Sequence, residues 1–310
     1  MTTPKHAPGR AVSALDTEQL RAHAARQLVR ARERSVALTD AVDDDDLVRQ
    51  HSPLMSPLVW DLAHVGNQEE LWLVRDVGGR DPVRSDIDEL YDAFKHARAT
   101  RPGLPLLGPA EARGYVTEVR DKVLDVLDRA AFSGDRPLLR DAFAFGMVAQ
   151  HEQQHDETML ATHQLRAGDP VLHTEDPPPA TAVPLPPEVL VPAGEFTMGT
   201  STEPWALDNE RPAHTAHTAA YFIDTAPVTY GEYLRFVEAG GYQQRQWWSE
   251  PGWRHVHEAG LSAPQFLTFD ADRWYRTRFG AVEPVRPDEP VVHVCFYEAE
   301  AYAAWVGKRL

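Results

Sequence analysis

The sequence predicts two domains of different class, a four-helix bundle followed by an irregular α+β domain. Within the first 165 residues, four segments contain apolar residues at the 3.6-residue period of a helix. Seven prolines follow in residues 168–187, where neither a regular helix nor a central strand accommodates them. Short apolar runs broken by turn residues, such as 189–191 and 221–223, are typical of strands. We therefore expect a bundle at 11–167, a linker at 168–187 and an α+β domain at 188–310.

Three of the four predicted helices have simple boundaries. The first covers residues 14–38, with Asp16 as its N-terminal cap and an apolar face that includes Leu20, Ala24, Leu28 and Val36. The third follows Pro109 and extends through Leu127. The fourth extends from about residue 137 to 165 and contains a closely spaced pair of histidines.

The second predicted helix contains a histidine near its middle. Ser56 is placed to cap it, and Pro57 occupies the first turn, where a missing backbone N–H costs little. The helical period then continues toward Val74, with tryptophans on the face that also contains His64. We therefore expect His64 to lie on a helix that packs into the bundle.

Composition restricts the classes of partner. With 47 acidic and 31 basic residues the net charge is −16, which argues against nucleic-acid and anionic-membrane partners and favours small molecules. Cys295 is the single cysteine, so no intrachain disulfide forms and a reducing compartment is expected. The first ten residues are polar, and no segment approaches the about 20 apolar residues of a membrane span. We expect a cytoplasmic protein, and a monomer by default because the sequence does not fix the oligomeric state.

The most informative motif is His151-Glu152-Gln153-Gln154-His155, in which two imidazoles four residues apart lie on one face of a helix. The motif matches the H-E-x-x-H pattern of zinc peptidases, and it equally matches two ligands of a metal site inside a bundle. Fourteen histidines in 310 residues give about 0.6 such pairs by chance, so the pair alone is weak support for a metal. The position of a third ligand decides between the two interpretations.

The peptidase interpretation lacks a convincing third ligand. The extended H-E-x-x-H-x-x-G-x-x-H pattern fails, because Thr158 and Ala161 occupy the required glycine and histidine positions. Glu175 has a suitable separation but lies in the proline-rich linker. A zinc hydrolase with Glu152 as general base stays the alternative hypothesis.

The bundle interpretation takes its third ligand from the second helix, where His64 is suitably placed. Three neutral imidazoles would leave open coordination positions and suit Fe(II) or Zn(II), and ligand type alone does not select between the two metals. The competing explanation is that His64 is a buried histidine hydrogen-bonded to a backbone carbonyl.

Three segments of the predicted bundle, 54–64, 91–94 and 151–160, and two segments after the linker, 191–199 and 208–212, carry distinctive motifs. Together they resemble the ergothioneine-biosynthesis sulfoxide synthases, and the last two match the opening of that family's second domain. The resemblance implies a DinB-like four-helix bundle joined to a domain like the formylglycine-generating enzyme, which has a C-type-lectin-like fold. Motifs from both domains occur in the family's order, and the likeness extends over about residues 17 to 310.

The resemblance also implies an activity. Members of this family are non-haem Fe(II) enzymes that use O2 to join the sulfur of γ-glutamylcysteine to the imidazole C2 of hercynine, giving a sulfoxide. His64, His151 and His155 match the iron ligands of the family. The sequence does not itself choose γ-glutamylcysteine over free cysteine as the thiol substrate.

The resemblance assigns substrate contacts as well. Arg98 and Arg101 match the arginines that hold the carboxylates of the thiol substrate, a task suited to bidentate guanidinium groups. Without the resemblance, both could equally be solvated loop charges. Gln154 matches a residue near the hercynine site. Glu157 is either a hydrogen-bond partner of a ligand or a solvent-facing helix residue.

The sequence ends at Leu310, at a point where the family continues through a further part of the lectin-like domain. We therefore expect an incomplete second domain, with the catalytic residues unassigned because the family places them in that further part. This predicts an incomplete enzyme that holds iron and turns over poorly or not at all. Three hypotheses stay open: an oxidative C–S synthase, a zinc hydrolase, and a non-catalytic metal- or thiol-binding module.

Overall fold

A computed structural model describes residues 12–132, 135–174 and 185–310. The chain divides into two compact units. The first ends at Leu172 and also takes in Thr197–Ala216, whereas the second consists of His173–Phe196 and His217–Leu310. Most of the predicted linker, residues 175–184, lies outside the described residues, as do the polar residues 1–11.

The first unit contains the four predicted long helices. These are α1 (Thr17–Asp40), α3 (Leu58–Glu69), α4 (Pro109–Arg129) and α5 (Phe143–Leu165), with a short α2 (Asp44–Val48) between the first two. Their apolar faces share one core, in which Leu28, Leu58, Leu73, Val119 and Phe145 are completely buried. In the described part of the chain, no helix combines the length and apolarity needed to cross a membrane.

The predicted cap is confirmed for α1 and wrong for α3. Asp16 accepts a hydrogen bond from the Gln19 backbone N–H at 2.9 Å, and the Gln19 side chain accepts one from the Asp16 N–H. At α3, Pro57 occupies the capping position and no side chain caps the helix. The Ser56 hydroxyl instead accepts a hydrogen bond from Arg101 at 2.6 Å, a long-range contact that local patterns do not reveal.

The fourth helix begins later than predicted. Asp141 and Ala142 have φ angles of 53° and 56°, which a right-handed helix does not accommodate. The indole N–H of Trp205 donates to the Asp141 carbonyl at 2.8 Å. Helix α5 therefore starts at Phe143 instead of residue 137, and the preceding residues form a turn.

A π-helical segment, Glu70–Val77, continues α3 and is followed by the loop that leads to Tyr91. Glu70 is fully buried and accepts hydrogen bonds from Tyr115 at 2.7 Å and from Arg75. Arg75 also binds Asp88 of the following loop at 2.7 Å. This network fixes the loop against the helix, and the loop in turn supplies a carbonyl to the site described below.

One charged residue from each long helix meets at the centre of the bundle. Arg32 of α1 and Arg120 of α4 alternate with Glu69 of α3 and Glu152 of α5 in a closed ring, with ion-pair distances from 2.5 to 2.8 Å. All four residues are buried. The carboxylates are therefore fully paired, and the ring links the four helices through directional bonds.

The segment 197–216 packs with the helices, whereas its position after the proline-rich linker predicts that it belongs to the second domain. Trp205 is part of the helical core, and its indole lies so close to Gly146 of α5 that a Cβ there would clash. The Trp205 carbonyl accepts a hydrogen bond from Gln150 at 3.2 Å. A single large aromatic residue thus fixes the segment, and this contact has no periodic pattern in the sequence.

The second unit is α+β, as predicted. In chain order the strands of the protein are β1 (Glu188–Val191), β2 (Gly194–Met198), β3 (His214–Thr218), β4 (Tyr221–Asp224), β5 (Leu267–Asp270), β6 (Arg273–Arg278) and β7 (Ala281–Pro284). The second unit contains β1 and β4 to β7, whereas β2 and β3 pair with each other and each has residues in both units. The predicted runs 189–191 and 221–223 are both strands and pair antiparallel, with Val189 opposite Ile223. Strands β5, β6 and β7 form an antiparallel meander.

Three helices complete the second unit: α6 (Tyr230–Glu238), α7 (Glu250–Glu258) and α8 (Phe296–Trp305). Aromatic residues dominate its core, where Phe236 contacts the rings of Tyr233, Tyr242 and Trp248. The aromatic residues of this unit therefore serve to pack its short elements together.

Candidate metal centre

Three histidines from two helices converge in the first unit. His64 lies on α3, and His151 and His155 lie one turn apart on α5. One ring nitrogen from each lies within 4.8 Å of the others, and the Nε2 atoms of His64 and His151 are 3.3 Å apart. The convergence expected for a site that spans two helices is therefore present.

Two of the rings are oriented by acceptors on their far side. His64 Nδ1 donates to the Tyr91 carbonyl at 2.7 Å, and His155 Nδ1 donates to Asp61 Oδ1 at 2.9 Å. A neutral imidazole has a single N–H, so these bonds place the proton on Nδ1 and leave the Nε2 lone pair facing the cluster. This is the arrangement that metal-binding histidines commonly adopt.

The surroundings of His64 and His151 keep these two rings neutral. Burial, followed by the neighbouring His155 and His151, lowers the pKa of His64 to about 3. Burial and His155 lower the pKa of His151 to about 4. Neutral imidazole is the form that binds a metal.

The geometry fits a divalent transition metal. Two nitrogens each 2.0–2.1 Å from one ion are separated by roughly 3.0–3.4 Å at the usual coordination angles, and the Nε2 separation of His64 and His151 lies in that range. Three neutral nitrogen donors leave coordination positions open, and this donor type suits iron and zinc alike. The three residues fit a metal, and their role as ligands stays a proposal.

Arg101 packs against Trp60, which in turn stacks on His64. The Trp60 ring stacks on His64, with centroids 4.6 Å apart, and the Arg101 guanidinium carbon lies 3.4 Å from the centroid of the Trp60 ring. Arg101 is buried and donates to Ser56 and to the His96 carbonyl. Burial lowers the pKa of Arg101, an effect partly offset by attraction to Asp61. The predicted substrate arginine therefore lies in a fixed orientation near the histidines.

The other predicted site residues are exposed. Arg98 donates to the Leu54 carbonyl at 3.0 Å, and its own carbonyl accepts a hydrogen bond from Gln50. Gln154 and Glu157 are exposed on α5. The contacts of Arg98 fix its backbone beside Arg101, whereas the described contacts do not place Gln154 or Glu157 against the imidazoles.

Glu152 follows His151 on α5, about 100° around the helix from it, and its carboxylate lies inside the ion-pair ring. It is 1% exposed, and it accepts hydrogen bonds from Arg32 at 2.6 Å and Arg120 at 2.8 Å. Burial would raise its pKa, but the two arginines lower it below the usual value. A carboxylate held in this way cannot act as general base beside the metal, which argues against the zinc-hydrolase alternative.

Sequence reasoning missed the two acceptors that orient the ligands. Asp61 precedes His64 by three residues, a spacing that places both on one helical face and is the available sequence signal. The Tyr91 carbonyl has no such signal, because any residue has a carbonyl. Glu157, suggested as a hydrogen-bond partner of a ligand, is instead exposed.

Two family models match this chain, one in each half of the sequence. Residues 27–159 match the DinB superfamily, and residues 173–310 match the sulfatase-modifying factor enzyme 1-like domain. The formylglycine-generating enzyme of Bos taurus is 34% identical over 146 residues, which is 43% of this chain and 37% of that protein.

Relatives that match both domains are named hercynine oxygenase. The protein of Mycolicibacterium thermoresistibile is 53% identical and that of Mycolicibacterium smegmatis 51%, over 94% and 92% of this chain. The protein of Mycobacterium tuberculosis is 50% identical over 94% of the chain. The chain spans 64%, 65% and 67% of the lengths of these three relatives. These identities show that the chain belongs to the hercynine oxygenase family. It joins a DinB-like helical domain to a sulfatase-modifying-factor-like domain.

Proposed function

We propose that the protein is an O2-dependent sulfoxide synthase of ergothioneine biosynthesis, which uses Fe(II) to join γ-glutamylcysteine and hercynine. The observation that carries this proposal is the convergence of His64, His151 and His155, with two of the rings fixed by acceptors on their far side. The names of the relatives support the oxygenase chemistry and the hercynine substrate.

The three histidines would hold the metal by their Nε2 atoms. When bound, Fe(II) would supply a site for the thiol sulfur and the capacity to activate O2. His64 is 4% exposed, and the Trp60 ring stacks on one face of it. The protein thereby excludes bulk water from one side of the centre.

The arginines would bind the carboxylates of γ-glutamylcysteine. Arg101 is preordered by Ser56, by the His96 carbonyl and by Trp60, so binding costs little side-chain entropy. Arg98 precedes it by three residues on the same short helical segment, Arg98–Gly103. Two guanidinium groups in that arrangement suit a substrate with two carboxylates. Gln154, exposed on α5, is proposed to contact hercynine.

Oxygen uptake tests the proposal. We expect any O2 uptake by the Fe(II)-loaded protein, however slow, to require γ-glutamylcysteine and hercynine together and to give a sulfoxide-linked product detected by mass spectrometry. The control is the His64→Ala variant, which should show no coupled uptake. Equal uptake with one substrate omitted, or product formation with Zn(II) alone, would contradict the proposal.

A further inference from the structure

Asp61 lies directly behind the metal centre. It is on α3, three residues before His64, and it is 1% exposed. Its Oδ1 accepts the hydrogen bond from His155 Nδ1 at 2.9 Å. Helix α3 therefore supplies both one candidate ligand and the carboxylate that orients a second ligand on α5.

The bond to Asp61 decides which nitrogen of His155 is available. A carboxylate accepts hydrogen bonds and does not donate them, so the proton of the neutral ring lies on Nδ1. The lone pair is then on Nε2, the nitrogen that a metal would bind from within the cluster. Without an acceptor, the ring could rotate or move its proton to Nε2, and either change would weaken binding.

His64 obtains the same orientation from a different kind of acceptor. Its Nδ1 donates to the backbone carbonyl of Tyr91, which no side-chain substitution removes. Asp61 is therefore the side chain through which the orientation of a candidate ligand can be tested by substitution.

The surroundings of the second carboxylate oxygen of Asp61 favour a cation nearby. Oδ2 is buried and has no hydrogen-bond partner within the described part of the chain. A buried carboxylate oxygen without a partner is costly unless positive charge lies nearby. Arg101 supplies part of that charge, since its attraction to Asp61 opposes the effect of burial on the Arg101 pKa. A divalent cation held by three neutral imidazoles would supply the rest.

We infer that Asp61 is a positioning residue of the metal centre. It holds His155 with Nε2 toward the ion and places a negative charge behind the ligand. The inference rests on the proposed function in one respect only, namely that the three histidines bind a divalent metal. It adds a residue that touches neither substrate nor metal and that acts through His155.

Asp156 provides a matched control. It is next to His155 in sequence, it is also buried, and its Oδ2 also has no hydrogen-bond partner among the described residues. Its Oδ1 accepts a hydrogen bond from the Ser35 hydroxyl at 2.7 Å, whereas Oδ1 of Asp61 accepts one from His155. Both aspartates are therefore buried, and each has one carboxylate oxygen without a hydrogen-bond partner among the described residues. They differ in the hydrogen bond to His155, which Asp61 accepts.

Cobalt(II) titration is the test, followed by the visible d–d absorption of the bound ion. The proteins are wild type, Asp61→Asn, Asp61→Ala and Asp156→Asn, with the fold of each checked by circular dichroism. We expect Asp61→Ala to bind about 10–100-fold more weakly, the range typical of residues that orient metal ligands. Asp61→Asn should lose less, because its amide oxygen still accepts from His155. Asp156→Asn should bind like wild type.

Nitrogen-15 NMR of the metal-free proteins adds a measurement that general destabilisation does not change. We expect the Nδ1–H form of His155 in wild type and Asp61→Asn, and its loss in Asp61→Ala. If Asp61→Ala binds Co(II) with the affinity and absorption bands of wild type, the role of Asp61 is overturned while the proposed function stands. An equal loss of Co(II) affinity in Asp156→Asn would have the same consequence. Absence of Co(II) binding by wild type would overturn the proposed function and this inference with it.

Discussion

The Arg101 guanidinium lies against the Trp60 indole at a distance of 3.4 Å from carbon to ring centroid, close enough for a cation–π interaction. On α3, the same indole stacks on His64, with only 13° between the ring planes. One aromatic side chain thus links a candidate metal ligand to the arginine proposed to bind substrate. The position of that arginine relative to the metal is therefore set by packing of the bundle.

Replacing Arg101 should weaken binding of the thiol substrate. A hydrogen bond to a charged group contributes about 1.5–3 kcal/mol, so Arg101→Ala is expected to raise the Kd for γ-glutamylcysteine about 10–150-fold. Arg101→Lys should recover part of the charge but not the bidentate geometry. Isothermal titration of the metal-loaded protein measures both. The control is Arg129→Ala, because Arg129 is exposed on α4 and forms an ion pair with Asp125. An equal loss of affinity for γ-glutamylcysteine in that variant would contradict the assignment.

Trp60 should contribute to stability mainly through its volume. It is fully buried, so Trp60→Ala is expected to lower the free energy of unfolding by about 3–5 kcal/mol. The indole N–H is buried with no hydrogen-bond partner in the described residues, so Trp60→Phe removes an unsatisfied donor and retains a ring. Urea unfolding of the metal-free proteins should place the Phe variant much nearer wild type. A Phe variant as unstable as the Ala variant would contradict this reasoning.

A substitution in the ion-pair ring should lower the free energy of unfolding without changing metal binding. Glu152→Gln leaves Arg32 and Arg120 sharing one carboxylate, and loss of one partner from a buried pair costs about 3–5 kcal/mol. We expect that loss in urea unfolding, together with unchanged Fe(II) stoichiometry. If the variant instead keeps its stability and loses a metal-dependent hydrolase activity, the ring has been misassigned and the hydrolase hypothesis gains support.

His163 should make the protein less stable in acid. Burial lowers its pKa, and this effect exceeds that of its hydrogen bond to the Leu38 carbonyl at 2.9 Å. The folded protein therefore binds fewer protons than the unfolded chain as the pH falls below 6.5, the usual pKa of histidine, and stability falls with it. The slope contribution approaches about 1.4 kcal/mol per pH unit.

The His163→Gln variant isolates that contribution, because other titrating groups are common to both proteins. We expect its unfolding free energy to depend less on pH below 6.5 than that of wild type. Identical slopes would mean that His163 binds protons equally in the folded and the unfolded protein, so that folding does not lower its pKa.

Short-range sequence patterns predicted the features that depend on residues a few positions apart. The α1 cap depends on Asp16 and Gln19, three residues apart, and the histidine pair on α5 depends on helical spacing. Ser56 shows the limit of such reasoning, because its hydroxyl is taken by Arg101, 45 residues later. Burial of Glu152 between two arginines is likewise a property of four packed helices, which no single segment contains.

The same distinction applies to the site. His64 could be proposed because its helix was predicted to pack into the bundle, and the family resemblance then selected it. The Tyr91 carbonyl could not be predicted, because its position depends on the loop fixed by Glu70, Arg75 and Asp88. Trp205 joins the helical core from a segment with no helical period, so its placement also needed the tertiary structure.

Titration with Fe(II) under argon tests the central claim most directly, with wild type and His64→Ala measured in parallel. The account predicts tight binding of one ion per chain in wild type and loss of that binding in the variant, because a ligand from α3 is then missing. Circular dichroism of the metal-free variant checks that the bundle is intact. Equally tight, one-to-one binding by His64→Ala would contradict a metal centre that spans α3 and α5.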